Sequence, residues 1–265
     1  MSNGDETEAS PAEIGEDNQT GEGHTQGGLW ERWYQKLFVL VLMLSLFLLA
    51  VILSRTVRTL VEQGVEIGDA GTPSRLLIGV LTFQVLGFGI GAAVVLRGRK
   101  NPREYLRIGA LDQWTLFYGA AVGLAMMVLV VGATVAFNLL DVEPAESAVG
   151  ASPDPWFYLL LFVVSTFVAV PMEELFFRGI LQRSLEAFWH PAVAIVVPSL
   201  LFVTIHTNLT GGTGGELIVV GLFFSLSIAL GVSYYLTENL WVPIIGHGIF
   251  NGAQIAVQGL ELAVS

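Results

Sequence analysis

Residues 156–186 read WFYLLLFVVSTFVAVPMEELFFRGILQRSLE, and this stretch decides the fold class. Trp156–Val170 is apolar, Pro171 follows, and Glu173, Glu174 and Arg178 then appear among Leu175, Phe176, Phe177, Ile180 and Leu181. A bilayer core takes about 20 mostly apolar residues as helix. The stretch therefore predicts one long membrane helix, kinked near its proline. Each charge at the centre of such a helix costs roughly 2.5–3.5 kcal/mol. Three of them have to pair or face a wet cavity. Glu174 and Arg178 stand i,i+4 on one helical face and can form an ion pair. Glu173 is turned about 100° away and has no such match. An unmatched carboxyl in a dry site suits general acid/base work. A helix end whose charges simply reach water is the plainer alternative, and this segment alone leaves it open.

Outward from this stretch the same texture repeats. Leu37–Leu53, with Trp30, Trp33 and Tyr34 as an interfacial belt, Leu76–Leu96, Leu116–Leu140, Ala192–Ile205, Leu217–Leu236 and Trp241–Val257 are further apolar runs. They predict an all-α, polytopic transmembrane bundle of about seven or eight spans. Of the 265 residues, 53% are hydrophobic and only 13% charged, against about 25% charged in soluble domains. Mean hydropathy is +0.67.

A net charge of −11 argues against a nucleic-acid partner, which wants a basic face. Residues 1–28 carry seven of the acidic groups and no Lys or Arg. They read as a disordered acidic tail without the basic start and apolar core of a secretory leader. Residues 29–150 read as N-terminal membrane helices and 151–265 as a second membrane core that holds the intramembrane polar residues. Polar loops are expected at 54–75 and 141–155, and a glycine-rich turn at Gly211–Gly215. Arg97, Arg99, Lys100, Arg103 and Arg107, with Arg32 and Lys36, place the segment 97–107 and the N-terminus in the cytoplasm and the acidic 141–155 loop outside, with the protein integral to the plasma membrane. Gly87/Gly91, Gly119/Gly123 and Gly248/Gly252 have the small-xxx-small spacing that lets helices approach. The absence of cysteine excludes disulfides and thiolate catalysis.

Two further segments hold polar residues in apolar surroundings. Phe202-Val-Thr-Ile-His206 ends one run; by itself, a hydrogen-bonded packing histidine explains it. His247-Gly-Ile-Phe-Asn251 puts two polar side chains on one face, and Gln254 and Gln258 extend the stripe. A helix–helix hydrogen-bond seam explains that equally well. Spacing ties the segments together. A tight turn is expected at Trp189-His190-Pro191, and Glu173 and His206 lie about 16 residues to either side, roughly 24 Å along a helix. An antiparallel hairpin brings them level. His247 is aligned only loosely. His24 and His190 receive no role.

Glu-Glu-x-x-x-Arg at 173–178, Phe-x-x-x-His at 202–206 and His-x-x-x-Asn at 247–251 resemble, in order, the three motifs of the CPBP (CAAX protease and bacteriocin-processing, Abi) intramembrane proteases, which are similar to type II CAAX prenyl endopeptidases. The resemblance covers roughly 156–257. It implies a helical fold around a conical cavity, peptide-bond hydrolysis, and membrane-associated or CAAX-type substrates, including lipidated ones. By position, Glu173 activates a water with His206, His247 and Asn251 stabilise the oxyanion, and Glu174 and Arg178, with Phe202, support the catalytic helix. The family's site opens to the cytoplasm, whereas the charge pattern puts Glu173 nearer the outer face.

No cofactor is required on this reading. Zinc held by Glu173, His206 and His247 is the alternative, since His₂Glu is a known catalytic set. Besides membrane lipid, the expected partner is a protein or peptide. Two other functions compete: a silent scaffold or immunity-type binding protein of the same fold, and a transporter, which intramembrane carboxylates and histidines also serve.

Overall fold

The structure, a computed structural model, describes residues 24–64, 77–142, 155–207 and 214–264. Among them are eight helices and no strand: α1 (His24–Gly64), α2 (Leu77–Leu96), α3 (Pro102–Tyr105), α4 (Gln113–Leu140), α5 (Trp156–Glu186), α6 (Pro191–His206), α7 (Gly214–Thr237) and α8 (Trp241–Val264). The chain is an all-α membrane helix bundle. Among the described residues, five segments are long and apolar enough to cross a membrane: Trp33–Leu53, Leu77–Leu96, Gln113–Leu140, Trp156–Glu186 and Gly215–Thr237. The other two runs expected to span fall short of that measure. α6 is apolar but has only 16 residues. In α8, His247, Asn251, Gln254, Gln258 and Glu261 dilute the apolar character.

The expected loop at 54–75 is shorter than the sequence suggests, because α1 continues through its polar end to Gly64. Of the expected acidic tail, residues 1–23 lie outside the described residues, and 24–28 belong to α1. Most of the 141–155 loop and of the Gly211–Gly215 turn also lies outside them.

Burial is inside out relative to a soluble domain. Leu48, Ile52, Leu116, Leu124, Leu139 and Leu236 are exposed, while Glu173, Glu174, Arg178 and His247 are buried. Lipid as solvent accounts for this: apolar faces cost nothing outward, and polar groups must find partners inside. The core is aromatic. Phe88 stacks on Phe176 at 4.5 Å, and Phe177 meets Phe202 edge-on at 5.2 Å. The glycine pairs lie at helix contacts. A Cβ on Gly87 would come within 3.0 Å of the Ala50 carbonyl on α1, and one on Gly91 within 2.7 Å of the Phe176 ring on α5. Gly119 and Gly123 sit as tightly against α8, and Gly252 against Phe162.

α5 runs without a break, as expected, but not as a regular helix. Ser165–Ala169 and Leu175–Gln182 are wide π-helical stretches on either side of Pro171. The proline supplies no N–H to the preceding turn, and π-turns are where a helix absorbs such a fault. Glu173 lies near the middle of α5, roughly 26 Å from Trp156 and 20 Å from Glu186 at helical rise.

At one end of the bundle, the segment between α2 and α4 is knitted to the ends of α5, α7 and α8. Arg107, at φ 50°, pairs with Glu186 at 2.9 Å and Glu238 at 3.1 Å. Its carbonyl accepts from Leu240 N–H at 2.9 Å. Tyr234 Oη donates to the Leu106 carbonyl at 3.0 Å. The hairpin turn lies where expected, after Glu186. His190 caps α6 there, its Nδ1 accepting from Ala192 N–H at 3.2 Å.

Candidate active site

The acidic pair splits as the helical spacing requires. Glu174 and Arg178 form a two-armed ion pair, with Nε–Oε2 and Nη1–Oε1 both at 3.2 Å. Both side chains are shut off from the surface. Arg178 Nη2 also donates to the carbonyl and the hydroxyl of Ser227 on α7, each at 2.9 Å. Gln182, one turn on, donates to the Gly231 carbonyl at 2.9 Å, one turn further along α7. The arginine thus locks α5 to α7 while neutralising Glu174. The Arg178 guanidinium also lies 5.2 Å from the Phe202 ring centroid, a cation–π distance.

Glu173 faces the other way and meets no cation of that kind. Its Oε1 accepts from the Gln84 side-chain amide of α2 at 2.8 Å. Its Oε2 lies 3.8 Å from His206 Nε2 and 3.9 Å from His247 Nε2. These separations are too long for direct hydrogen bonds and of a length that one water bridges.

Each imidazole is held by its other nitrogen. His206 Nδ1 stands 2.9 Å from the Phe202 carbonyl. A carbonyl only accepts, so Nδ1 carries the proton and Nε2 is the working nitrogen. His247 Nδ1 donates to Glu174 Oε1 at 2.8 Å, again leaving Nε2 toward Glu173. The His206 ring is stacked between Phe202, at 4.0 Å and 19°, and Phe223, at 5.4 Å and 26°. Fixing a ring by its far nitrogen and its faces aims the near nitrogen.

Of the expected site residues, the structure brings together Glu173, Glu174, Arg178, Phe202, His206 and His247. Asn251 lies one turn along α8 from His247, and its Nδ2 donates to Ser165 Oγ at 3.3 Å. Gln84, Ser165, Phe223 and Ser227 were not singled out from the sequence. Gln84 left a signal, as the sole side-chain amide in the Leu76–Leu96 run.

A His₂Glu zinc site requires ligands about 2.0–2.2 Å from the metal, hence tetrahedral edges of about 3.3–3.6 Å. Both edges from Glu173 exceed that, and among the described residues no group of three His, Cys, Asp or Glu closes to a metal-holding cluster. Glu173 thus stands a few tenths of an ångström further from each imidazole than such a site has it.

Fold and site together define a helical membrane protein with a buried, oriented polar centre. Residues 155–253 match the family described as Type II CAAX prenyl endopeptidase Rce1-like. This segment contains all three motifs, and the match supports a likeness of this part of the chain to CAAX-type membrane proteases. Neither a curated protein nor a solved structure matches the chain. The activity the family suggests is that of a membrane-embedded peptidase.

Proposed function

We propose that the chain is an intramembrane endopeptidase that hydrolyses a peptide bond of a membrane-associated, CAAX-type substrate with a water activated by Glu173. The observation that carries this reading is the convergence of two imidazole Nε2 atoms on one carboxylate oxygen, at 3.8 and 3.9 Å. A water between them donates one proton to Glu173 Oε2 and the other toward His206 Nε2. Its oxygen attacks the carbonyl carbon as Glu173 takes up the proton. The oxyanion forms beside His247, whose ring Glu174 holds by Nδ1. Asn251 donates to the oxyanion by turning from Ser165. As the C–N bond breaks, Glu173 returns its proton to the leaving nitrogen, giving an amine and a carboxylic acid and restoring the carboxylate. Base and oxyanion donors of this kind are what amide hydrolysis requires.

On this reading residues 151–265 are the catalytic core, carried by the helices of 29–150, in the plasma membrane with the N-terminus cytoplasmic. Lipid and a protein substrate are the partners, and no metal takes part.

The test uses the purified chain in liposomes with a quenched-fluorescent farnesylated CAAX peptide. Cleavage survives dialysis against a strong zinc chelator. His206→Ala reduces it by about 10²–10⁴-fold while the protein still inserts and elutes as a single species. Loss of activity on chelation with recovery on added Zn²⁺ overturns the metal-free mechanism. Wild-type rates from His206→Ala overturn the assignment of the site.

A further inference from the structure

Two of the three groups around the Glu173 carboxylate, His206 and His247, come from the segment that matches the family. The third, Gln84, comes from α2, outside it. We propose that Gln84 is a positioning residue that fixes the Glu173 carboxylate for catalysis, so that α2 is part of the active site. This rests on the hydrolase reading above and adds to it a residue from the other half of the chain.

The geometry is specific. The amide of Gln84 donates to Oε1 at 2.8 Å, and the imidazoles face Oε2. A carboxylate held by one oxygen cannot swing, so the other oxygen stays aimed. The donor is also neutral. Glu174, one residue on, accepts from an arginine and is neutralised by it. A cation in the place of Gln84 would tie up Glu173 in the same way and blunt it as a base. An amide orients without quenching.

The backbone that carries Gln84 is braced for the task. It lies in the π-helical stretch Leu81–Phe88, a distortion often found where a helix presents a functional side chain. A turn on, Gly87 abuts the Ala50 carbonyl of α1 and Gly91 the Phe176 ring of α5. Phe88 stacks on that same ring. α2 is thereby keyed to the helix that bears Glu173.

The test compares wild type, Gln84→Met and Thr82→Val in liposomes with the farnesylated CAAX peptide. Methionine keeps the length and loses the donor. Thr82 bonds only the backbone of its own helix, at 2.7 Å, and controls for disturbance of α2. The expected result is a kcat reduced about 10–100-fold in Gln84→Met, the range for an outer hydrogen-bond partner, with KM within about twofold, and an unchanged kcat in Thr82→Val.

A second measurement needs no substrate. Gln84→Met lowers the Tm of the wild type but not that of Glu173→Met, because the bond is already gone there. An unchanged kcat in Gln84→Met, or a Tm loss equal in both backgrounds, overturns the inference and leaves the proposed function standing. A wild type that cuts no such peptide defeats the proposed function and the catalytic role of Gln84 with it, while the Tm cycle still decides whether the bond is made.

Discussion

Two polar networks among the described residues, one at the bundle end and one at its centre, solve the problem of charge in a membrane protein differently. At the bundle end, Arg107, Arg183, Glu186 and Glu238 alternate in sign, and each carboxylate has a cation near it. Glu238 is largely exposed, so water shares the load. At the bundle centre, Glu174 is paired with Arg178, but Glu173 is given only an amide and two imidazoles. A chain that needed only stability would match both central carboxylates or omit them, since a buried charge is costly unless paired. The end network behaves as a clasp. The centre keeps one carboxylate available at the cost of stability, which is the mark of a reactive site rather than of a brace.

The sharpest way to break this contrast is to neutralise each centre in turn. Glu173→Gln keeps the size and removes the base. Cleavage of the farnesylated CAAX peptide should fall by about 10²–10⁴-fold, with thermal stability equal to or above that of wild type, because an uncompensated buried charge has gone. A protein that loses stability in step with activity would place Glu173 among the braces.

Arg178→Met should do the opposite. It leaves Glu174 buried without its cation, which costs about 3–5 kcal/mol, read as a lower unfolding midpoint in detergent. Arg178→Met/Glu174→Gln should recover a large part of that loss. If the single variant is as stable as wild type, the ion pair does not lock α5 to α7.

How much of this was legible follows from where the signals lay. Glu173, Arg178, His206 and His247 stand out because a polar residue in an apolar run is improbable without a reason. Glu173 and His206 could be set level because one short turn, at Trp189–Pro191, separates their helices. His247 could not, because α7 and the residues before it intervene, and no spacing rule carries through them. Asn251 was placed with His247 by its i,i+4 spacing. The same spacing moves it a full turn along α8, to Ser165. Gln84 was passed over because one amide in a long apolar helix looks like an ordinary seam residue. Only the tertiary structure shows what it meets. The end of α1 was misjudged because its polar tail reads as loop when burial is unknown.

The end network should yield much less when broken. In Arg107→Met, Glu186 keeps the amide of Gln182 at 3.0 Å and Arg183 at 3.6 Å. The pair is largely buried, but Glu186 keeps those two partners, so the expected cost is about 1–2 kcal/mol, below that of a buried charge left alone, with kcat for the peptide within about twofold of wild type. A tenfold loss of kcat would show that the clasp reaches the site, and the division drawn here would fail.

The smallest effect is expected at the start of α4, beside that network. Asp112 caps the helix, accepting from Thr115 N–H at 2.8 Å. The Thr115 backbone N–H, and after it the Thr115 side chain, hold the Asp112 carboxyl below its usual range. A carboxyl lowered in the folded state stabilises above its unfolded value, about 3.9, and that contribution is lost as pH falls through the lowered value. Tm measured from neutral pH to about pH 3 should therefore fall a little more steeply for wild type than for Asp112→Ala, which has no such proton to take up. The two curves should draw together as pH falls through the lowered value. Parallel curves would mean that the cap contributes nothing through its charge, and that the end network draws its stability from the arginine pairs alone.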